Sequence, residues 1–304
     1  PFICRHFDFM SSMAVDGIVN YGIGDWCAPF DGPAISVNMS TFKAPVALTD
    51  TACYYRSARM LSKMSRVLGL DDPYLARSEE IRAALLRNFV DADTGEVAGA
   101  CQTSDGCVAF HHLLKPQEEA RLMERLAERI AQNGWHIDYG ILGSKYVLNM
   151  LGEYGRTDVI YKMLTREDYP GYLYWVAHGC TTLAECWNLG GSHNHYMFSD
   201  VSAVFYRYFA GIRPDGDIPA YRSFLLAPAL DLAIDTLSCS VESPHGTIFA
   251  GWKKDGDTVT FTAGVPFGTT ARLRLPAGVQ APENGAVLGG GRHEFCWKIA
   301  QSAG

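Results

Sequence analysis

Apolar residues in the first two thirds of the chain recur at the spacing of an α-helix. Between residues 46 and 69 they return every three, four or seven positions, and Gly69 is suited to end the segment. Residues 116–133 show the same period, and Pro116 is suited to a first helical turn. The same pattern predicts four further helices, at residues 72–90, 141–153, 157–166 and about 197–210. We therefore predict antiparallel helical hairpins over roughly the first 210 residues.

The period changes from helical to alternating after residue 213. Residues 247–252 and 258–263 alternate apolar and polar side chains, and the intervening residues 253–257 are typical of a hairpin turn. Two more alternating runs occupy residues 270–275 and 293–299. Together these runs predict a small antiparallel β-sandwich at the C-terminal end of the chain.

The loops between the predicted helices carry tryptophan, histidine and acidic residues, a pattern typical of an α/α toroid with one concave site. A helical solenoid is less favoured, because the sequence has no fixed repeat of about 34 to 47 residues. The predicted fold is therefore mainly α. An α/α barrel occupies residues 1–212, and a small antiparallel β-sandwich domain occupies residues 213–304.

The composition excludes several classes of protein. Of the 304 residues, 48% are hydrophobic and 19% are charged, which argues against a disordered chain, a coiled coil or a collagen-like repeat. No run of about 18 apolar residues is present, so we expect no membrane partner. The net charge of -7 without a basic block argues against nucleic acid and favours a small polar ligand.

The cysteines indicate the compartment. There are nine, an odd number without a CxxC pair, so we predict reduced thiols and a cytoplasmic protein. The N-terminus has neither an initiator Met nor a signal pattern, and the stretch from Pro1 to Cys4 looks like the middle of a longer chain.

The clearest candidate for acid–base chemistry is Glu185. It lies between small and apolar residues, and such surroundings resist ionisation and prepare a carboxyl group for general acid or base work. The alternative is that Glu185 caps a helix N-terminus after Thr181 and Thr182. Nearby, His193 and His195 have the spacing of a metal-ligand pair, but no third ligand follows, so we favour hydrogen-bonding roles and predict neither metal nor cofactor.

Two aromatic segments are candidates for sugar binding. The loop around Gly24-Asp25-Trp26 begins like a nucleotide-binding loop but lacks the third glycine and the following helix. We expect it instead to present Asp25 and Trp26 to a cleft, where an indole packs on a sugar face and a carboxylate accepts from hydroxyl groups. Residues 168–175, which include Trp175, are either a sugar-stacking wall or part of the core.

Taken in chain order, these segments resemble the C-terminal part of bacterial α-L-rhamnosidases, glycoside hydrolase family 78. The matching segments are Gly24-Asp25-Trp26, Glu167-Asp168-Tyr169-Pro170, Gly179-Cys180-Thr181-Thr182-Leu183-Ala184-Glu185, Ser192-His193-Asn194-His195-Tyr196, Ala210-Gly211-Ile212-Arg213-Pro214 and Ser243-Pro244-His245-Gly246. The resemblance implies an (α/α)6 barrel followed by a β-sandwich. It also implies an inverting hydrolase that removes terminal α-L-rhamnose, with a rhamnose-containing glycoside as its partner.

The resemblance also implies residue roles. Glu185 falls on the family's general base, and an inverting enzyme needs a second carboxylate on the other face of the sugar. Asp25, Trp26 and His195 fall on positions that line the sugar pocket, with Trp26 against the apolar face of rhamnose and His195 bonded to a hydroxyl group or to the base. Trp175 falls in a loop near that pocket.

The sequence departs from the family pattern at two points. Ala184-Glu185-Cys186-Trp187 stands where the family has Trp-Glu-Arg-Trp. The family's general-acid segment has no counterpart, so we expect that acid upstream of this chain and a barrel incomplete at its N-terminus. Asp16 and Asp25 are poor substitutes for it.

A missing N-terminal segment or a second copy would complete the barrel. One alternative function is an inactive sugar-binding remnant of the same fold. Another is a different α/α-toroid glycosidase such as an unsaturated-uronyl hydrolase, which would need basic residues that the Glu185 segment lacks.

Overall fold

The computed structural model describes residues 2–29, 43–216 and 218–299. Its contacts divide the chain into two compact units. The first comprises Pro1–Tyr154 and Lys162–Phe198, and the second comprises Gly155–Tyr161 and Ser199–Gly304. The domain boundary predicted after residue 212 stays a prediction.

The first unit is helical. Its helices are α1 (Phe2–Met13), α2 (Val46–Leu68), α3 (Tyr74–Phe89), α4 (Gln102–Phe110), α5 (Pro116–Gln132), α6 (Ile141–Glu153) and α8 (Tyr172–Ala177). The division between the two units falls within α7 (Thr157–Leu164), after Tyr161. The predictions for α2, α3, α5, α6 and α7 are confirmed, whereas α1, α4 and α8 were not predicted. Within the described ranges, no helix combines the length and the apolar character needed to cross a membrane.

Local sequence signals explain where the predicted helices begin and end. Helix α2 stops because Gly69 adopts the left-handed conformation at φ 65° and turns its N–H back to the carbonyl groups of Ser65 and Arg66. At the start of α5 the Glu118 carboxylate accepts the Lys115 backbone N–H at 3.1 Å. The apolar stripe of α5 is buried, as its spacing predicts.

Helix α4 was missed because its sequence is polar although its residues are buried. Gln102, Thr103, Ser104 and Asp105 form its first half, and all four are fully buried. Helix α4 packs against both α5 and α6. Three of its polar side chains bond to other segments: Gln102 to the His136 carbonyl, Thr103 to Asp25 and Asp105 to Arg129. Hydrophobic periodicity carries no signal of such partners.

The second unit is mainly β, with strands β1 (Ile212–Pro214), β2 (Ser223–Leu226), β3 (Thr236–Ser243), β4 (Gly246–Asp255), β5 (Thr258–Val265), β6 (Thr270–Leu273), β7 (Val279–Gln280), β8 (Val287–Leu288) and β9 (Gly291–Ile299). One sheet has the order β1-β2-β6-β8 and the other β3-β4-β5-β9-β7. Both contribute to one buried core, with Phe224 and Leu273 from the first sheet and Trp252 and Phe261 from the second. This arrangement is the predicted sandwich.

The expectation of a purely antiparallel β region is wrong at one place. Strands β2 and β6 pair in parallel, with Phe224 beside Ala271. A parallel pair requires a long crossover, and β3, β4 and β5 all lie between these two strands in the sequence.

The helix predicted over residues 197–210 is shorter in the structure. Helix α9 (Asp200–Val204) leads into a π-helical turn, Phe205–Phe209.

Candidate active site

Glu185 lies in a loop that folds back on itself. Helix α8 ends at Ala177 and the next helix begins at Asp200, so Glu185 caps no helix and the capping alternative is excluded. The Glu185 backbone N–H donates to the Ser192 carbonyl at 2.8 Å, and the His195 N–H donates to the Leu183 carbonyl at 2.9 Å. These two bonds align residues 183–185 with residues 192–195, and we call residues 183–195 the Glu185 loop.

The Glu185 loop fixes the position of the Glu185 carboxylate. Its Oε2 atom accepts the Ser192 backbone N–H at 2.8 Å and lies 3.5 Å from His195 Nδ1. The side chain of Glu185 is 13% exposed and that of His195 is 22% exposed, so both are largely enclosed but reachable. A backbone N–H and an imidazole on one side of the carboxylate hold it in one orientation.

Gly191 makes this arrangement possible. Its φ of +74° lies in the left-handed region, and a Cβ atom at this position would stand 2.5 Å from Glu185 Oε2. A side chain here would therefore both strain the backbone and displace the carboxylate.

Asp25 is buried, and its carboxylate accepts four hydrogen bonds. Oδ2 accepts the Thr103 hydroxyl at 2.5 Å and the Gly140 N–H at 2.8 Å, while Oδ1 accepts the N–H groups of Leu142 at 2.9 Å and Gly143 at 2.8 Å. Burial raises the pKa of the Asp25 carboxyl, and these hydrogen bonds oppose that rise. Leu142 and Gly143 lie in the first turn of α6, whose N–H groups have no partner within the helix, so Asp25 caps α6 from a distant loop.

Trp26 follows Asp25 in a turn, residues 25–27, that we call the Trp26 loop. Its carbonyl accepts the Ile141 N–H at 2.9 Å, and its side chain is half-buried. The next residue, Cys27, brings its Sγ atom to 3.4 Å from Sγ of Cys186. Residues 25–27 are therefore adjacent to Glu185, as the predicted sugar site requires.

Trp175 belongs to a buried aromatic cluster that includes Trp187 of the Glu185 loop. It is 2% exposed, stacks on Trp187 at a ring-centroid distance of 4.6 Å, and donates its indole N–H to the Trp187 carbonyl at 3.0 Å. Trp187 in turn donates to the Tyr139 carbonyl at 2.8 Å and packs on Phe198. Of the two interpretations of residues 168–175, a sugar-stacking wall or part of the core, the second therefore applies to Trp175.

The histidine pair has no metal geometry. His193 Nε2 lies 2.8 Å from the Leu189 carbonyl oxygen, and His195 faces Glu185. Among the residues that the structure describes, no three His, Cys, Asp or Glu side chains are placed to hold a metal ion together.

Two family models match the chain. Residues 3–209 match the bacterial alpha-L-rhamnosidase 6 hairpin glycosidase domain, and residues 211–286 match the bacterial alpha-L-rhamnosidase C-terminal domain. The chain belongs to the bacterial α-L-rhamnosidase family. This confirms the resemblance and the predicted fold, a six-hairpin glycosidase domain followed by a β domain.

Curated and solved rhamnosidases agree with this assignment. The chain is 29% identical over 300 residues to an α-L-rhamnosidase of Streptomyces avermitilis, covering 90% of this chain and 28% of that protein. It is 26% identical over 272 residues to one from Alteromonas sp. (strain LOR), covering 84% of this chain and 29% of that protein. The crystal structure of the Streptomyces avermitilis enzyme complexed with L-rhamnose superposes with a TM-score of 0.83 and 26% identity, over 97% of this chain and 30% of that one. The chain thus spans less than a third of these rhamnosidases.

Two of the five predicted site residues, Glu185 and His195, come together with partly exposed side chains in this member of the rhamnosidase family. Trp26 is half-buried and precedes Cys27, whose Sγ atom contacts that of Cys186. Asp25 and Trp175 lie behind them without a surface to offer a ligand. Gly191 and the backbone N–H of Ser192, which fix the position of the carboxylate, were not predicted. Gly190-Gly191 directly before Ser192 was the available signal, because paired glycines mark a loop of unusual conformation.

Proposed function

We propose that the protein is an inverting glycoside hydrolase that removes terminal α-L-rhamnose from rhamnosides, with Glu185 as the general base. The observation that carries this proposal is the geometry of Glu185, whose Oε2 atom is held by the Ser192 N–H and faces His195 while the side chain stays reachable. Family membership supports the same chemistry.

In the proposed reaction Glu185 takes a proton from a water molecule as that water attacks the anomeric carbon. A carboxylic acid on the opposite face protonates the leaving oxygen, and the distance between the two groups leaves room for the water. We place that acid upstream of this chain, as the family resemblance implies. Asp25 is unsuitable, because its two oxygens accept four hydrogen bonds in the interior.

Substrate binding would fall to Trp26 and His195. The half-buried indole of Trp26 suits the apolar face or the methyl group of rhamnose, and the exposed part of His195 suits a sugar hydroxyl. We assign Asp25 and Trp175 to positioning: Asp25 holds the Trp26 loop on α6, and Trp175 holds the Glu185 loop through its hydrogen bond to the Trp187 carbonyl. The likeness to a rhamnosidase solved with L-rhamnose supports this choice of sugar.

The wider setting is also a proposal. An upstream segment or a second copy would complete the barrel. The odd number of cysteines supports a cytoplasmic location.

Hydrolysis of an aryl α-L-rhamnoside tests the proposal. Glu185→Gln is expected to lower turnover by about 10²- to 10⁴-fold, because the amide cannot accept the proton from water. Glu294→Gln in the β unit, where the carboxylate is exposed, is the matched control and is expected to leave turnover unchanged. Proton NMR of the first product formed reports whether the anomeric configuration inverts.

The outcomes separate the proposal from its alternatives. Near-full activity in Glu185→Gln would remove Glu185 from the mechanism. Rhamnose binding without turnover in this chain, measured by calorimetry, would mean either that the upstream segment with the acid is required or that the protein is a sugar-binding remnant. Turnover in a longer chain that carries the upstream segment would separate these two.

A further inference from the structure

Two thiols from different loops meet directly beside the proposed base. Sγ of Cys27 lies 3.4 Å from Sγ of Cys186, both cysteines are buried, and neither forms a disulfide bond. Cys186 directly follows Glu185 in the sequence, and Cys27 directly follows Trp26. The pair therefore connects the residue proposed for water activation with the residue proposed for sugar packing.

The two thiols are chemically unequal. The hydrogen bond between them raises the pKa of Cys27 and lowers that of Cys186. The nearby Glu185 carboxylate opposes ionisation of Cys186. Cys186 is nevertheless the thiol of the pair that forms the thiolate more easily, and the thiolate is the reactive species.

We propose that Cys27 and Cys186 form an oxidative modification site, at which a small organic disulfide converts the two thiols to an intramolecular disulfide that cross-links the Trp26 loop to the Glu185 loop. The functional consequence of this cross-link rests on the proposed function, whereas its formation does not.

The reaction has two exchange steps. The Cys186 thiolate attacks one sulfur of the reagent, whose S–S bond breaks and whose other sulfur leaves as a thiolate and takes up a proton. Cys27 then loses its proton to solvent and attacks Sγ of Cys186, and the second reagent thiol leaves. Overall the protein pair is oxidised by two electrons and the reagent is reduced to two thiols.

Closure of the disulfide would disturb the site. The sulfur atoms must approach from 3.4 Å to the bonded distance of about 2.05 Å. This movement of more than about an ångström is applied one residue away from Glu185, whose carboxylate is held by a single backbone N–H and faces His195. Displacements of that size can reduce catalysis by about 10²-fold.

The test combines peptide mapping with activity. The purified protein is incubated with 2-hydroxyethyl disulfide, the remaining thiols are blocked with N-ethylmaleimide after denaturation, and the digest is analysed by mass spectrometry. We expect a cross-linked peptide pair containing Cys27 and Cys186, lighter by two hydrogen atoms than the reduced pair. Turnover of the aryl rhamnoside is expected to fall about 10²-fold and to recover on addition of dithiothreitol.

Variants provide the matched controls. Cys27→Ser removes one partner, so its turnover is expected to resist the reagent. Cys53→Ser and Cys296→Ser remove exposed cysteines and are expected to respond like the wild type. If Cys27→Ser fails to fold, the peptide map of the wild type still shows whether Cys27 and Cys186 are cross-linked.

Two results would overturn the inference. The pair is refuted if both cysteines carry N-ethylmaleimide under conditions in which Cys53 and Cys296 have reacted with the reagent. The effect on the site is refuted if the cross-link forms and turnover stays the same. If the cross-link forms in the treated protein but the untreated, reduced protein hydrolyses no rhamnoside, the result counts against the proposed function alone.

Discussion

His111 offers a stability prediction that is independent of the proposed activity. It follows directly after α4 and is buried between the rings of Phe110 and Tyr146. Within the described part of the chain, neither of its ring nitrogens has a hydrogen-bond partner. Burial lowers the pKa of His111 from 6.5 to about 3, and the positive charges of Arg56, His112 and Lys145 add to this effect.

The sign of the pH dependence follows from linkage. In the unfolded chain His111 binds a proton as the pH falls below 6.5, whereas in the folded protein it stays neutral until about pH 3. The unfolded state therefore binds more protons in this window, so the folded state loses stability as the pH falls from 7 toward 3. Between pH 7 and pH 5 the loss is about 2 kcal/mol, at 1.36 kcal/mol per pKa unit.

Asp105 partly hides this effect in the wild type. Burial raises the pKa of its carboxyl to about 6, against the opposing charge of Arg129. The folded protein takes up this proton first, so Asp105 adds stability as the pH falls through 6. A wild-type curve alone mixes the two groups, whereas the difference between the wild type and a variant isolates one of them.

The variant His111→Phe keeps a ring and removes the titration. Its free energy of unfolding, measured by urea denaturation with far-UV circular dichroism at pH 7, 6 and 5, is compared with that of the wild type. We expect the variant to gain about 2 kcal/mol relative to the wild type between pH 7 and pH 5. The reasoning fails if the difference is the same at all three pH values.

His112→Ala is the control. The side chain of His112 is 72% exposed, and a hydrogen bond to Glu119 raises its pKa. Its contribution therefore has the opposite sign, and removing it is expected to cost stability at low pH rather than at neutral pH.

Two further variants test the construction of the site. Asp25→Ala removes the acceptor of three N–H groups at the start of α6, two of them buried, so we expect a loss of at least about 3 kcal/mol in the free energy of unfolding; a loss below about 1 kcal/mol would contradict the capping role. Gly191→Ala should displace the Glu185 carboxylate and reduce turnover strongly. Gly179→Ala carries the same left-handed strain, with φ +83° and no atom within 4 Å of the new Cβ, so it should cost similar stability and leave turnover intact. Equal turnover in these two glycine variants would contradict the role of Gly191.

The predictability of each element depended on where its partners lie. Helix α5 was predicted because an apolar stripe facing the core is visible in the sequence itself. Helix α4 was not, since Thr103 bonds to Asp25 and Asp105 pairs with Arg129, and both partners come from other segments. The parallel pairing of β2 with β6 is likewise a tertiary choice that alternation cannot reveal.

The site shows the same division. The proximity of Glu185 and His195 was expected from their short separation in the sequence and from the family resemblance. The family position of Asp25 was also recognised, but its burial was not. Its partner Gly140 lies 115 residues along the chain, and only the folded structure shows that the carboxylate is consumed by a helix terminus.

The capping of α6 by Asp25 has a consequence for local opening. The amide hydrogens of Leu142 and Gly143 are held by a carboxylate on another loop, and the N–H of Ile141 is held by the Trp26 carbonyl. These amides can exchange with solvent deuterium only when the Trp26 loop detaches from the helix. Their protection factors therefore measure the opening free energy of the loop itself, and loop and helix start should unfold as one cooperative segment.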